Sequence, residues 1–320
     1  MPYPTPAVTV TTAEKFIPEI WSDEIVAAYK KNLVLANIVM KMNFKGKKGD
    51  TVHIPAPTRG NASAKAASTA VTLIADTETE VQVLINKHYE YSRFIEDIVE
   101  AQALNSLRQF YTADAGYALA KQVDTDLIQL GRAFNGATVG TNDYATSNSS
   151  TKAFIGGDGT TAYNSTSSNA SALTDAAIRR TIQRLDDNDT PMDGRFFIIP
   201  PSSRNTLMGL SRYTEQAFVG NGNAIRTGEI GQLYGIPVFT SSNADTGAGN
   251  SATDRICLMG HKDSMVLVEQ VGVRSQTQYK QEYLATLFTS DTLYGVKAMR
   301  TAATTGAALS SSAFALAVPA

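Results

Sequence analysis

The chain has 320 residues, 43% of them hydrophobic and 18% charged, with a formal net charge of −2. That composition excludes wholesale disorder and argues against a dedicated nucleic-acid binder, leaving open only a local basic patch. The one cysteine, Cys257, excludes an internal disulfide framework and a cysteine-rich zinc site; the apolar run Ile256–Met259 marks a buried thiol.

Met1 to Pro6 carries no basic start leading into an apolar segment, and no run reaches the ~18 apolar residues of a membrane span. A soluble, intracellularly made protein with no membrane partner is expected. Residues 1–13 read as an extended arm. Pro18 then opens a short helix around 19–31, with Phe16, Ile20, Ile25 and Leu33 at helical spacing.

The stretch from Lys45 to Tyr91 is the most distinctive. Lys45–Asp50 is a turn and Thr51–Pro55 alternates as a strand. After an Ala/Ser/Thr-rich tip, Glu80 to Tyr91 alternates again. Val81, Val83, Ile85, Tyr89 and Tyr91 share one face; Glu80, Gln82, Asn86, His88 and Glu90 share the other. The spacing predicts one long hairpin, too long and too polar at its end to fold back on its own core, and therefore built to lie on a neighbour. Its outgoing side carries Lys41, Lys45, Lys47, Lys48, Arg59 and Lys65, and its return carries Asp76, Glu78, Glu80 and Glu90. Opposite charges pair either within the hairpin or across subunits, and both readings stay open.

From Ala103 to Phe134 apolar residues recur with a mean gap close to the helical repeat, which predicts one helix roughly 48 Å long. Residues 135–172 are rich in Gly, Ser, Thr and Asn and read as surface loops. Thr174 or Asp175 caps a helix that turns Ile178, Ile182 and Leu185 inward. Phe196–Ile199 is a central strand, and Ser202 or Ser203 caps a helix bearing Leu207 and Leu210. A turn at 230–235 leads into the strand Ile236–Phe239. Strands return at Ile256–Met259 and Met265–Glu269, Gly272–Arg300 is β-like, and the tail beyond Thr301, anchored by Phe314 and Leu316, is expected to be partly mobile or docked on a neighbour.

Chemistry is hard to find. No phosphate-cradling loop, dinucleotide fingerprint, nucleophile elbow or zinc-protease motif occurs. His53 and His88 sit on the two predicted arm strands, near enough to approach each other but without an acidic or cysteine ligand. His261–Ser264 holds triad residue types yet reads as a turn, as does Gly156–Gly159. Lys65, nearly alone in the small-residue tip, is the one reactive candidate.

With these pieces in order, the chain resembles the major capsid proteins of tailed bacteriophages, whose shell-forming fold is shared with encapsulins and the herpesvirus capsid floor. The segment Gly231–Val238 is similar to a turn and strand of the family's axial domain, and Leu293–Arg300 to the closing strand of its peripheral domain. The resemblance implies an α+β fold: N-terminal arm 1–40, extended loop 41–92, peripheral domain 93–135 and 256–305 with a long spine helix, axial domain 136–255, and tail 306–320. It implies a shell subunit that forms hexamers and pentamers of an icosahedral container for double-stranded DNA in the virion, assembled in the host cytoplasm. No enzyme activity, cofactor or metal is implied. The implied partners are the chain itself, a separate scaffolding protein, a portal protein, a decoration protein and DNA held without sequence specificity. Because the arm pattern starts near residue 14, little or no trimming of the chain is expected. Lys45, Lys47, Lys48, Arg59, Lys65, Asp76, Glu78, Glu80 and Glu90 become contact candidates, and Lys65 a cross-linking candidate. The alternatives are an encapsulin-like compartment and, from a different class, an enzyme using 136–172 or 241–254 as a lid.

Overall fold

A computed structural model describes residues 34–45, 48–57, 62–71, 73, 78–96, 106–134, 153–164, 168–210, 231–246, 254–300 and 312–320. The predicted helix at 19–31 and residues 1–33 of the expected N-terminal arm lie outside these residues; the arm's last part, 34–40, is instead packed in the core, with Leu35 and Val39 buried. In chain order, a single helical turn α1 (Leu35–Ile38) precedes β1 (Met40–Asn43), β2 (Thr51–Pro57), β3 (Glu78–Leu84) and β4 (Lys87–Glu96). The long helix α2 (Ser106–Gln129) follows and tightens into a 3-10 turn at Leu130–Ala133. Next come β5 (Phe154–Ile155), α3 (Asp175–Asp187), β6 (Arg195–Ile199), α4 (Pro201–Met208), β7 (Gln232–Leu233) and β8 (Ile236–Thr240). The chain ends with β9 (Arg255–His261), β10 (Met265–Lys280), β11 (Ala285–Ala298) and β12 (Ala313–Val318). This is the mixed α+β fold that the sequence predicts.

Among the described residues the strands form three sheets. A four-stranded sheet has the order β1-β10-β11-β4, a six-stranded sheet the order β5-β12-β9-β6-β8-β7, and β2 pairs with β3 alone. The long helix supplies the surface that joins the first two. Its buried residues Leu127 and Ile128, with Leu130 and Phe134 just beyond, pack in one cluster with Met265, Leu267 and Tyr294 of the four-stranded sheet and Phe196, Ile198 and Leu258 of the six-stranded one. At 24 residues α2 spans roughly 36 Å.

β6 shows why its sequence is apolar throughout. Phe196 and Ile198 face the α2 cluster, whereas Phe197 and Ile199 face a second cluster formed with Ile178 and Leu185 of α3 and Leu207 of α4. A strand with helices on both faces has no solvent side to make polar. Thr174 caps α3 by accepting from the Ala177 amide at 3.3 Å. α4 starts earlier than the serines suggest, with Pro200 at the cap and Pro201 in its first turn. Proline suits that position because the amide it lacks would go unpaired there. Ser202 Oγ instead donates to the Pro319 carbonyl at 3.1 Å. The β7–β8 hairpin turns on Tyr234 and Gly235, both left-handed at φ +51° and +80°, the backbone of a tight two-residue turn.

Two buried carboxylates on α2 fix what surrounds it. Asp124 Oδ1 accepts from the Leu35 amide at 2.9 Å and Asp124 Oδ2 from Asn243 Nδ2 at 3.1 Å. Asp126 Oδ2 accepts from Tyr294 Oη at 2.7 Å and pairs with Lys87 Nζ at 3.0 Å. Burial, and then the Asp126 carboxylate beside it, raises the Tyr294 phenol far above its ordinary range.

Three expectations need correcting. The predicted twelve-residue return strand is two strands, broken at Ile85–Asn86: β3 stays in the arm, but β4 leaves it and pairs with β11. Glu90 and His88 therefore do not lie on the arm. Nor does the whole arm stand off the core, since Val83 and Ile85 pack against Val266 and Val268 of β10. The break is a corner over β11, where Gly295 lets the backbone cross: a Cβ there would lie 2.5 Å from the Leu84 carbonyl oxygen. Periodicity could not show it, because the alternation continues across the corner. Finally, six residues of the expected loose tail are β12, all buried, inside the six-stranded sheet. β9 belongs to that sheet too, so a boundary at 256 cuts through it.

The two glycines give opposite expectations. Gly295→Ala forces the Leu84–Ile85 corner to move and is expected to cost about 1–3 kcal/mol. Gly116→Ala, inside α2 with nothing within 4 Å of the added methyl, is expected to stabilise by about 1 kcal/mol. Urea unfolding of the unassembled subunit measures both, and equal effects would refute the close approach at Gly295.

Candidate inter-subunit interface

Two ribbons project from the packed core. The first is the arm. β2 and β3 run antiparallel over seven residues each, from Thr51 opposite Leu84 to Pro57 opposite Glu78. Val52, Ile54 and Val83 fall on the face toward the core, and buried Val81, opposite Ile54 in the register, shares that face. The other face carries a cross-strand polar cluster: His53 Nδ1 lies 2.9 Å from Glu80 Oε2, and Gln82 Nε2 donates to Glu80 Oε1. Those bonds, from Gln82 first and His53 second, hold the Glu80 carboxyl below its ordinary value. The Ile85 amide donates to the Asp50 carbonyl at 2.7 Å and closes the root. Beyond the stem every described residue of 62–71 is exposed, and Leu73 is 87% exposed.

The expected basic and acidic halves do not meet as a set. Lys45 Nζ reaches Glu269 of β10, at 3.7 Å, rather than an acid of the arm. Glu80 is taken up by His53, within its own hairpin. Lys48 and Lys65 are exposed, Lys65 among the small residues of the tip. Glu90 stands opposite Asp291 of β11 in a different sheet. Lys47, Arg59 and Asp76 lie outside the described residues, and Glu78 is described only as the last backbone rung. His53 and His88, expected to approach across the hairpin, are separated because β4 has left it; His88 Nε2 is 3.1 Å from Asp291 Oδ2.

The second ribbon, a candidate contact surface, carries no sequence signal that marks it as one. β10, β11 and β4 continue as three strands, their last rung joining Lys280, Ala285 and Glu96. One face rests on α2: Tyr91 Oη donates to Asp114 at 3.1 Å, and the Arg93 guanidinium sits 4.6 Å from the centre of the Tyr111 ring. The other face is open. Arg274 grips Asp291 with two bonds of 2.7 and 2.8 Å. Arg274 foremost, with His88 adding to it, lowers the Asp291 carboxyl to about 2. At the end, Leu284 takes a left-handed φ of +44° and is exposed beside Tyr283 and Phe94, whose rings lie 5.6 Å apart. Such a patch, apolar at the end of a polar ribbon, is the kind of surface that partners cover. A polar, alternating 272–300 stretch hinted at strands, but not at which residues crown their turn.

Elsewhere the groups with catalytic types are structural. His261 Nε2 donates to the Asp193 carbonyl at 2.7 Å, and His261 Nδ1 accepts from the Asp263 amide at 3.2 Å, making the expected turn. Asp158 accepts from the Thr160 and Thr161 amides at 2.8 and 2.9 Å, again a turn. Among the described residues no group of three His, Cys, Asp or Glu is placed to hold a metal, and no helix is long and apolar enough to cross a membrane.

The chain matches the family model described as phage capsid protein over residues 21–304. No curated protein matches the sequence. Among solved structures it is similar to one from Mycobacterium phage Che8, at 21% identity and a TM-score of 0.71, covering 94% of this chain and 97% of that one. It is similar to the capsid of cyanophage P-SCSP1u at 18% identity and a TM-score of 0.71, over 95% and 93% of the two chains. The mature capsid of bacteriophage PhiM1 matches at 13% identity and a TM-score of 0.68, over 94% and 92%. At these identities the likeness establishes the fold.

The Asp291 carboxyl supplies a pH test. Its folded-state value lies below its ordinary 3.8, so its contribution to stability is full above about 3.8 and lost as pH falls through about 2. Arg274→Gln removes the largest cause. In that variant, NMR titration of the carboxyl is expected to move up toward 3.8; an unmoved midpoint would show that Arg274 is not the cause.

Proposed function

The chain belongs to the phage capsid protein family, and we propose that its arm and three-stranded ribbon are the contacts by which copies close into hexamers and pentamers around double-stranded DNA. The protein is a structural, non-enzymatic component of the virion capsid that associates with itself. What supports the finer reading is the arm. It is a paired two-stranded stem whose root is packed on the core, and the chain beyond it exposes Val71 and Leu73. Large apolar side chains exposed away from their own core are suited to cover another surface.

The mechanism is geometric. Each contact is modest, and a ring closes because its symmetry closes. Many such contacts in parallel make weak pairs strong across a shell. In this reading the four-stranded sheet with α2 is the peripheral domain, and the six-stranded sheet, now including β9 and β12, is the axial domain around the capsomer axis. The N-terminal segment ahead of Val34 and the arm bridge capsomers, because Leu35 and Val39 are packed into the subunit's own core. Assembly takes place in the host cytoplasm on a separate scaffolding protein, with a portal protein at one vertex, a decoration protein outside, and DNA packed without sequence specificity.

Excising residues 59–77 and rejoining the stem by a short glycine turn leaves the β2–β3 register intact. The expected outcome is a folded subunit, by circular dichroism and melting, that forms few closed shells in electron micrographs; normal shells would sink the arm's role. If Lys65 forms a covalent bond to a neighbour, mature particles boiled in detergent run as ladders and Lys65→Arg particles as monomers. Wild-type particles that run only as monomers rule the cross-link out.

A further inference from the structure

The sequence holds two Asp–Gly pairs, Asp158–Gly159 and Asp193–Gly194. In each the glycine takes a left-handed φ, +66° and +80°. Such a pair is open to a reaction of the chain with itself, in which the glycine amide nitrogen attacks the aspartyl carboxyl. A glycine puts no side chain in the way. The fold treats the two pairs differently.

At Asp158–Gly159 both reacting groups are held. The carboxylate accepts from the Thr160 and Thr161 amides at 2.8 and 2.9 Å and from Thr161 Oγ1 at 2.6 Å. The Gly159 amide donates to the Ile155 carbonyl at 3.0 Å. Gly159 is buried against Ala177 of α3, where an added Cβ would lie 2.9 Å from the Ala177 Cα. Desolvation acts to raise this carboxyl, but the Thr161 hydroxyl and the two amides together hold it far below its ordinary range. It therefore stands as a carboxylate, a poor electrophile.

At Asp193–Gly194 both groups are free. Residues Pro191 to Gly194 are exposed, in the turn between α3 and β6. Among the described residues no group bonds the Asp193 carboxyl or the Gly194 amide. The turn is pinned instead by its carbonyls. Arg195 donates to those of Pro191 and Thr190 at 2.9 and 2.6 Å, and the Lys262 amide to that of Gly194 at 3.0 Å. His261 Nε2 donates to the Asp193 carbonyl at 2.7 Å. That carbonyl belongs to the same peptide as the Gly194 N–H, so drawing electron density onto its oxygen makes the attacking nitrogen more acidic.

We propose that the 193–194 peptide is a site of spontaneous backbone modification, at which Asp193 passes through a cyclic imide to isoaspartate while Asp158 does not. The Gly194 nitrogen bonds to Asp193 Cγ, the Cγ–OH bond breaks, and the hydroxyl leaves with the amide proton as water. A second water opens the five-membered ring. Opening at the main-chain carbonyl leaves the chain running through the former side chain. Nothing is oxidised or reduced, and water is the sole co-reactant. The product carries one more methylene in its main chain, between the Pro191 carbonyl that Arg195 holds and the Gly194 carbonyl that Lys262 holds. It shifts those two bonds relative to each other at the start of β6, the strand covered on both faces. A virion outside a cell neither replaces nor repairs its subunits, so the modified fraction grows with age.

Purified protein is held at neutral pH in heavy-oxygen water, either folded or in denaturing urea, and is then digested with trypsin in ordinary water. Opening of the imide adds one heavy oxygen. Mass spectrometry reads it in the peptides 185–195 and 153–179, and fragment ions place it within each. In the folded protein Asp193 is expected to take up label at least roughly tenfold faster than Asp158, because one carboxyl is free to reach its nitrogen and the other is not. In urea the two are expected to react at similar rates. Equal rates in the folded protein would overturn the proposal. So would a gap as wide in urea, since the cause would then be local sequence and not the fold. Asp193→Asn gives a second reading, because ammonia leaves in place of water and the conversion shows as a mass gain without label. The folded variant is expected to convert; one that stays unconverted while its urea form converts would also overturn the proposal. The readout is chemistry within one subunit, separate from the assembly reading above.

Discussion

The structure depends on two carboxylates buried in one helix. Asp124 and Asp126 are two residues apart on α2, so they point about 200° apart around its axis. Asp124 takes the first amide of α1 and the Asn243 side chain; Asp126 takes Tyr294 and Lys87. A buried carboxylate is costly unless hydrogen-bonded or paired, and removing one partner strands the rest. Each therefore specifies a position as much as it stabilises one. Asp124 fixes the chain entering β1 and the loop that leaves the six-stranded sheet. Asp126 fixes the four-stranded sheet through β11 and, through Lys87, the residue at which the chain re-enters from the arm.

Rigidity in the core is what makes the projections useful. Lys87 follows directly on the corner at Ile85–Asn86, and Gly295 lets that corner sit against β11. The direction of the arm is thus set by backbone packing and one ion pair, not by the arm's own charges. The same holds for the three-stranded ribbon, which α2 supports along one face through Tyr91 and Arg93. Exposed apolar side chains, Leu73 beyond one stem and Phe94, Tyr283 and Leu284 at the end of the other ribbon, mark the far parts of these projections. A surface carried on paired strands loses little conformational freedom when a partner covers it.

Local chemistry was legible wherever one element decided it. The 3.6-residue repeat marked the spine, the unbroken apolar run at 196–199 marked a strand covered on both sides, and Thr174 marked the start of a helix. The arm's stem was also legible from alternation. Its charges misled, because a hairpin reading assigned every polar residue between 45 and 91 to one object. Glu90 and His88 belong to another sheet, and Lys45 pairs outside the arm. The ribbon tip was missed because Tyr283 and Leu284 look unremarkable until Phe94, almost two hundred positions earlier, is brought beside them.

By itself the sequence determined the class of the molecule, mixed helix and sheet with a long spine and a projecting hairpin, because periodicity and turn residues act over a few neighbours. It determined the family as well, through the order in which those elements follow one another. Only the tertiary structure decided which strands share a sheet. Alternation is the same on either side of the Ile85–Asn86 corner, so nothing local says that β3 and β4 part there. Nor does Ala313–Val318, with three alanines in six residues, look like a core strand: what buries it is the close approach of β9 and the helices above it, supplied by residues far away in the chain.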